Sequence, residues 1–295
     1  MDQHASSPRL GRRQFGLAVA GSAIAATIPA TVAGTPAAAQ PDSATVRLGT
    51  VPALETGGLL DQLLAAFEAA SGYQVSVSVG SHAAVFSQAR AGLLEVVLTH
   101  WGVDEVRLAV ADRVGRWPQL VLSTSFVLIG PAADPAHVRH LDDPVQAVRR
   151  IARRRVPFIV NDLSQPRFVY ETLWHAADRP DRQGWVIDTG LRGPAAVAAA
   201  AAQGGYTIWG LHPFLTLQSP PPGLRGITYT DSLMQRGIAS LVVNPDPTRP
   251  VNLAGGLALE QFLVAPEAQA LIRSVRHPGL DQPIFWPAGI HNGND

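Results

Sequence analysis

The chain has 295 residues, 46% of them hydrophobic, with 23 basic and 23 acidic side chains and no net charge. That length and apolar content support a large core and two lobes, and the charge balance argues against a nucleic-acid or anionic-membrane footprint. The sequence contains neither cysteine nor lysine, which excludes disulfides, thiol catalysis, zinc–thiolate sites, Schiff-base chemistry and a P-loop.

Residues 1–39 read as an export leader. Arg12 and Arg13 precede Phe15 and a weakly apolar run that ends at Ala37-Ala38-Ala39, a small-residue cleavage site. The paired arginines point to the twin-arginine route. The alternative, an N-terminal membrane anchor, needs about 20 strongly apolar residues. No cysteine follows for lipid attachment, and no later segment is long and apolar enough to span a bilayer. The expected mature chain is soluble and periplasmic and starts near Gln40.

Strand and helix signals then alternate. "ATVRLG" is a short strand. A helix is expected over 57–71, with Leu59, Leu60, Leu63, Leu64 and Phe67 on one face and Gly72 as its left-handed stop. "YQVSVSVG" alternates as a half-buried strand, "AAVFSQARAG" is a helix, "LLEVVLTHW" a strand, and 103–112 a helix. "QLVLSTSFVLIGP" is longer than the other strands and apolar nearly throughout. A second block follows: a helix whose arginines at 149–155 face solvent, the strand "VPFIVND", the helix "SQPRFVYETLWHAA", the strand "GWVID", the helix "GPAAVAAAAAQ" and the strand "GGYTIWG". "GIASLVVNP" returns as a strand, and two helices joined at Ala265-Pro266 close the pattern. Strands alternating with helices imply mostly parallel sheets with helices on both faces. Two such blocks, joined by one strand out and one back, imply an α/β fold of two lobes. Lobe I comprises 40–125 and 233–295; lobe II comprises 126–232.

In an open α/β sheet, ligands sit outside the carboxyl ends of the strands, where helix N-termini point. Four junctions share small, hydroxyl or amide residues: "GTVPALETGG", "GSHAAV", "NDLSQP" and "TGLRGP". Thr50, Thr56, Gly57, Ser81, His82, Asn161, Ser164 and Arg192 are therefore candidate ligand-binding residues, with His100 at a neighbouring strand end. Thr56, Ser81 and Ser164 read equally well as plain helix caps. A helix N-terminus contributes ~0.3–1 kcal/mol toward an anion, and hydrogen bonds to a charged group add ~1.5–3 kcal/mol each. Several junctions must converge to hold a small anion tightly. His82, His100 and His212 lack metal-ligand spacing and an acidic cluster, so no metal site is expected. No cofactor is expected either. A nucleophile elbow and a dinucleotide fingerprint are both missing, so the chain does not read as an enzyme. Trp101, Trp174 and Trp209 are candidates for stacking on a planar ligand or for core packing.

The segments "TGGLLDQLLAAFEAASGYQVSVSVG", "EVVLTH", "SFVLIGPAADPAHV", "VPFIVNDLSQ", "GGYTI", "IASLVVNP" and "FLVAPEAQALI" cover most of 44–276 in order. In this respect the chain resembles periplasmic substrate-binding proteins of ABC importers, and within them the tungstate- and molybdate-binding families. The resemblance implies a two-strand hinge at 123–129 and 238–243, a tungstate- or molybdate-type oxyanion in the interlobe cleft, a membrane permease as partner, and a monomer. The ligand motifs depart from the family. Thr50 matches a family hydroxyl, whereas Val51 and Pro52 replace others. Asn161 and Pro166 stand where the family has an oxyanion-binding arginine and threonine, with Ser164 kept and Arg167 displaced by one. "WGLHP" replaces an Asp-Arg-Gly-Thr pattern. Either Arg167 or Arg192 supplies the missing cation, or the pocket is rebuilt with histidine and tryptophan for another small organic ligand. A third reading is a sensory or accessory protein on the same fold.

Overall fold

The computed structural model describes residues 44–55, 58–229, 231–277 and 283–289. The expected leader, and the candidate site residues Thr56 and Gly57, lie outside the described residues.

The first block comprises β1 (Thr45–Thr50), α1 (Pro52–Glu55), α2 (Leu59–Ser71), β2 (Gln74–Val79), α3 (His82–Arg90), β3 (Val96–His100) and α4 (Asp104–Ala111). The long β4 (Gln119–Pro131) follows. The second block comprises α5 (Pro144–Arg154), β5 (Phe158–Ile159), α6 (Ser164–Ala176), β6 (Val186–Ile187), α7 (Pro194–Gln203), β7 (Thr207–Gly210), α8 (Leu211–Leu215) and β8 (Leu224–Thr228). The chain returns through β9 (Gln235–Val242), α9 (Leu253–Leu263), α10 (Pro266–Ser274) and β10 (Trp286–Pro287).

Local sequence explains the main elements. All five apolar residues of the α2 stripe are buried, each contributing ~1.5–3 kcal/mol. Gly72 ends α2 at φ 77°, its N–H reaching Glu68 O; a side chain is strained in that conformation. Pro144 and Pro194 open α5 and α7, where a missing N–H costs nothing.

β4 is the spine. Its first half pairs antiparallel with β9 and β10, and its second half pairs antiparallel with β7 and β8. The change of partner falls between Ser125, opposite Gln235, and Phe126, opposite Gly210. Alternate residues of the second half face different cores. Phe126 and Leu128 pack with Val148, Ile151, Phe158 and Tyr170, while Val127 and Ile129 join the cluster that contains Leu48, Phe67 and Leu259.

The sheet is mixed. β1 pairs in parallel with β2 and β3, and β5 with β6, whereas β9 lies antiparallel to both β3 and β4. A strand that re-enters from the other half of the chain runs backwards through the sheet, and side-chain period carries no information on direction. β8 and α8 also go beyond the sequence reading. "LRGIT" exposes Arg225 and Gly226, which weakens its apolar alternation, and Pro213 interrupts the helical pattern of α8. No helix among the described residues is long and apolar enough to cross a membrane.

Candidate functional site

Two adjoining cavities open where the carboxyl ends of β1 and β3, the first turns of α3 and α6, and the β4–β9 crossing meet. The inner cavity, about 520 Å³, is lined by Pro52, Ser81, His82, His100, Ser164, Gln165, Arg192, Trp209 and Arg236, among others. The outer, about 710 Å³, shares Ser81, His82, Ser164, Gln165, Arg192 and Arg236, and adds Trp101, Phe126, Phe168 and Leu233 at its walls.

Two helices aim their positive ends at this space. Ser81 caps α3, its hydroxyl accepting from Ala84 N–H at 3.2 Å. Ser164 is the first residue of α6, and the capping position falls to Leu163, which makes no side-chain cap. First-turn N–H groups have no helical carbonyl to bond and carry about half a positive charge together.

The central cation is Arg236, which the sequence reading missed. Register places it opposite Thr124, two residues before β4 changes partner, so its guanidinium enters the junction of the two cavities. It is only 9% exposed. Its Nε and Nη2 donate to Gln165 Oε1 at 3.3 and 2.9 Å, and its Cζ lies 4.7 Å from the centre of the Phe126 ring. No carboxylate pairs with it among the described residues. Burial pushes its pKa down to about 9, which still leaves it cationic at neutral pH. Gly210 makes the space: a Cβ there would overlap Arg236 Nη1. Gln165 has a second role, donating from Nε2 to Trp101 O at 3.0 Å. It ties α6 to the loop after β3 while orienting the arginine.

Beside Arg236, His100 Nδ1 and His82 Nε2 lie 3.4 Å apart. His100 is 4% exposed. Burial pushes the His82 pKa below the ordinary histidine value; Glu105 opposes that change and Arg236 adds to it. His100 is lowered further, by burial first, then by Arg236 and His82. Both rings are neutral at neutral pH.

Of the residues expected at the site, Ser81, His82, His100, Ser164 and Arg192 line the cavities. Arg192 is exposed. Three others do not line these cavities. Thr50 is fully buried and spends its hydroxyl on Leu98 O at 3.0 Å, inside the sheet. Asn161 is buried and accepts the Gly193 N–H at 2.9 Å, fixing the turn before α7. Arg167 points away from the cavities into carboxylates: Nε donates to Asp162 at 2.8 Å, and Nη1 and Nη2 clasp Asp188 at 2.9 and 2.6 Å. Those bonds raise its pKa, with Asp188 the largest cause. Among the tryptophans, Trp209 walls the inner cavity and Trp101 the outer. Trp174 instead packs 3.8 Å under the Arg182 guanidinium.

Two sheet systems that share one long strand, with helix starts from both converging on a cleft, define the periplasmic-binding-protein fold. The particular resemblance is to tungstate-binding proteins. The chain is homologous to the tungstate-binding protein TupA of Peptoclostridium acidaminophilum, 25% identical over 244 residues, spanning 81% of this chain and 84% of that protein. The solved tungstate-binding protein TupA of Desulfovibrio alaskensis superposes with a TM-score of 0.72 at 21% identity, covering 83% of this chain and 99% of that one. The solved tungstate ABC transporter protein of Geobacter sulfurreducens gives a TM-score of 0.67 at 22% identity, covering 78% and 98%. No family model matches the chain.

Proposed function

We propose that this protein is an exported solute-binding protein that captures a small oxyanion, of the tungstate or molybdate type, and delivers it to an ABC permease. The observation that carries the reading is Arg236: a buried guanidinium with no carboxylate partner among the described residues, facing a cleft flanked by two helix starts. In this reading, 40–125 with 233–295 form one lobe and 126–232 the other. They hinge at β4 and β9, and closure is driven by better contacts in the closed state. The protein works as a monomer in the periplasm. Arg236, Arg192, Ser81, Ser164, His82 and the amides of two helix starts hold the anion. Hydrogen bonds to a charge contribute ~1.5–3 kcal/mol each, so four or five reach the roughly −8 to −12 kcal/mol of micromolar to nanomolar affinity.

The experiment is calorimetric titration of the purified protein with tungstate, molybdate, sulfate and phosphate. Tungstate is expected to bind at micromolar concentration or tighter, with molybdate next. A wild-type protein that binds neither overturns the reading. A second reading, a small organic anion, is favoured by the apolar wall of Val51, Leu163, Pro166, Trp209 and Pro213 in the inner cavity. Adding an aromatic carboxylate and an aromatic sulfonate to the same panel decides between the two.

A further inference from the structure

We infer that the His82–His100 pair is a ligand-operated proton site: when a dianion seats beside Arg236, the pair takes one proton from solvent and becomes the second positive charge of the cleft. The site thereby selects doubly charged tetrahedral oxyanions over singly charged ones of the same shape. This inference rests on the oxyanion reading above.

The geometry sets the proton count. A neutral pair of imidazoles carries two protons on four ring nitrogens. The 3.4 Å contact between His82 Nε2 and His100 Nδ1 places one proton between the rings. One outward nitrogen then holds the second proton, and the other is bare. A third proton, given up by hydronium or a buffer acid, fills the bare nitrogen: one N–H bond forms on the ring and one O–H or N–H bond breaks in the donor, with none broken in the protein. Both rings line the inner cavity, and Arg236 lines it with them.

The surrounding charges decide when that happens. Arg236 faces the pair from β9, and Arg192 stands at the cavity from the turn before α7. Asp104 and Glu105 at the start of α4 line the outer cavity. In the empty cleft, burial and the Arg236 charge together keep both rings neutral. A dianion reverses the sign of the local field. Arg236 cancels one of its charges, Arg192 is exposed and screened by solvent, and one negative charge is left unmatched beside the buried His100. An opposite charge within about 4–6 Å raises a histidine pKa by about 1–3 pH units, which opposes the lowering by burial and Arg236. A monoanion is neutralised by Arg236 alone and draws no proton.

The test uses tungstate and perrhenate, tetrahedral anions of closely similar size that differ by one charge. Each is titrated calorimetrically into the full chain in buffers of different ionisation heat, at mildly acidic and mildly alkaline pH. Expected are about one proton taken up per tungstate and none per perrhenate. Tungstate affinity should rise by up to about tenfold for each pH unit of fall through the window, while perrhenate affinity stays flat. Histidine resonances should show the pair's titration moving upward when tungstate is added. His82→Gln should abolish both the uptake and the tungstate pH slope. Tungstate binding with no proton uptake and a flat profile overturns the inference and leaves the oxyanion reading standing. Uptake that persists in His82→Gln assigns the proton elsewhere and also overturns it. Failure of both anions to bind at either pH overturns the inference and the reading together.

Discussion

Arg167 and Arg236 both meet the first turns of α6, and their surroundings are opposite. Arg167 is held by Asp162 and Asp188, with Glu171 at 4.0 Å. Arg236 has an amide oxygen and an aromatic ring. An arginine clasped by a carboxylate is already neutralised and offers an anion little. A buried arginine without one raises the free energy of the empty protein and is poised for a negative charge from outside. The difference teaches that partner chemistry, rather than residue type, decides which arginine is available to an anion.

The largest expected effect falls on Arg236. Arg236→Gln removes a charge-assisted contact from a desolvated site, worth about 3–4 kcal/mol, or roughly 100- to 1000-fold in tungstate affinity. Calorimetric titration measures it, and a loss below tenfold contradicts the assignment. Gln165→Glu sharpens the comparison by giving Arg236 the carboxylate that Arg167 already has, at nearly unchanged shape. We expect the empty protein to melt at higher temperature and tungstate affinity to fall by about tenfold or more, because the new carboxylate competes with the anion. A variant that binds tungstate as tightly as wild type shows that Arg236 does not meet the ligand.

The next effect is on the pH dependence of the empty protein. His82 and His100 have folded-state pKa values lowered from 6.5. The unfolded chain therefore binds more protons than the folded one as pH falls below 6.5. Stability is retained above that value and lost below it, at a slope of up to about 1.4 kcal/mol per pH unit for each group. Thermal melts of the empty protein should show this acid loss, and His82→Gln should reduce it. Saturating tungstate should also reduce it if the pair protonates on the ligand.

Much of the fold was legible because its signals are local. The α2 stripe, the Gly72 stop and the long apolar β4 each follow from spacing within a few residues. The helix starts at Ser81 and Ser164 were legible as junctions for the same reason. Arg236 was not. Its significance comes from Thr124, Phe126, Gln165 and Gly210, which lie far from it along the chain and meet it only through the β4–β9 crossing. The bare string "MQRGIAS" shows one arginine at the edge of a strand, which reads as a solvated charge. One usable signal was the residue's position just before a return strand at the expected hinge. Arg167 misled for the converse reason: it sits beside a junction, but Asp188, supplied from after β6, neutralises it. Thr50 and Asn161 carry the polar groups of a ligand site, yet backbone groups take the Thr50 hydroxyl, at Leu98 O, and the Asn161 Oδ1, at Gly193 N; the buried Asn161 Nδ2 has no partner among the described residues.

The smallest expected effect is on Arg167, and it closes the comparison from the other side. Its side chain is 32% exposed and that of Asp188 is 37% exposed, so solvent screens the pair and its bidentate geometry contributes about 1 kcal/mol. Arg167→Gln should lower the melting temperature by about 2–4 °C for a chain of this size, and tungstate affinity should stay within about threefold of wild type. High salt should narrow the wild-type-to-variant gap in melting temperature, because screening weakens the ion pair that only the wild type has. A large loss of affinity with an unchanged melting temperature would reverse the roles of the two arginines. It would mean that the Asp162–Asp188 clasp opens when the cleft closes, releasing Arg167 to the anion.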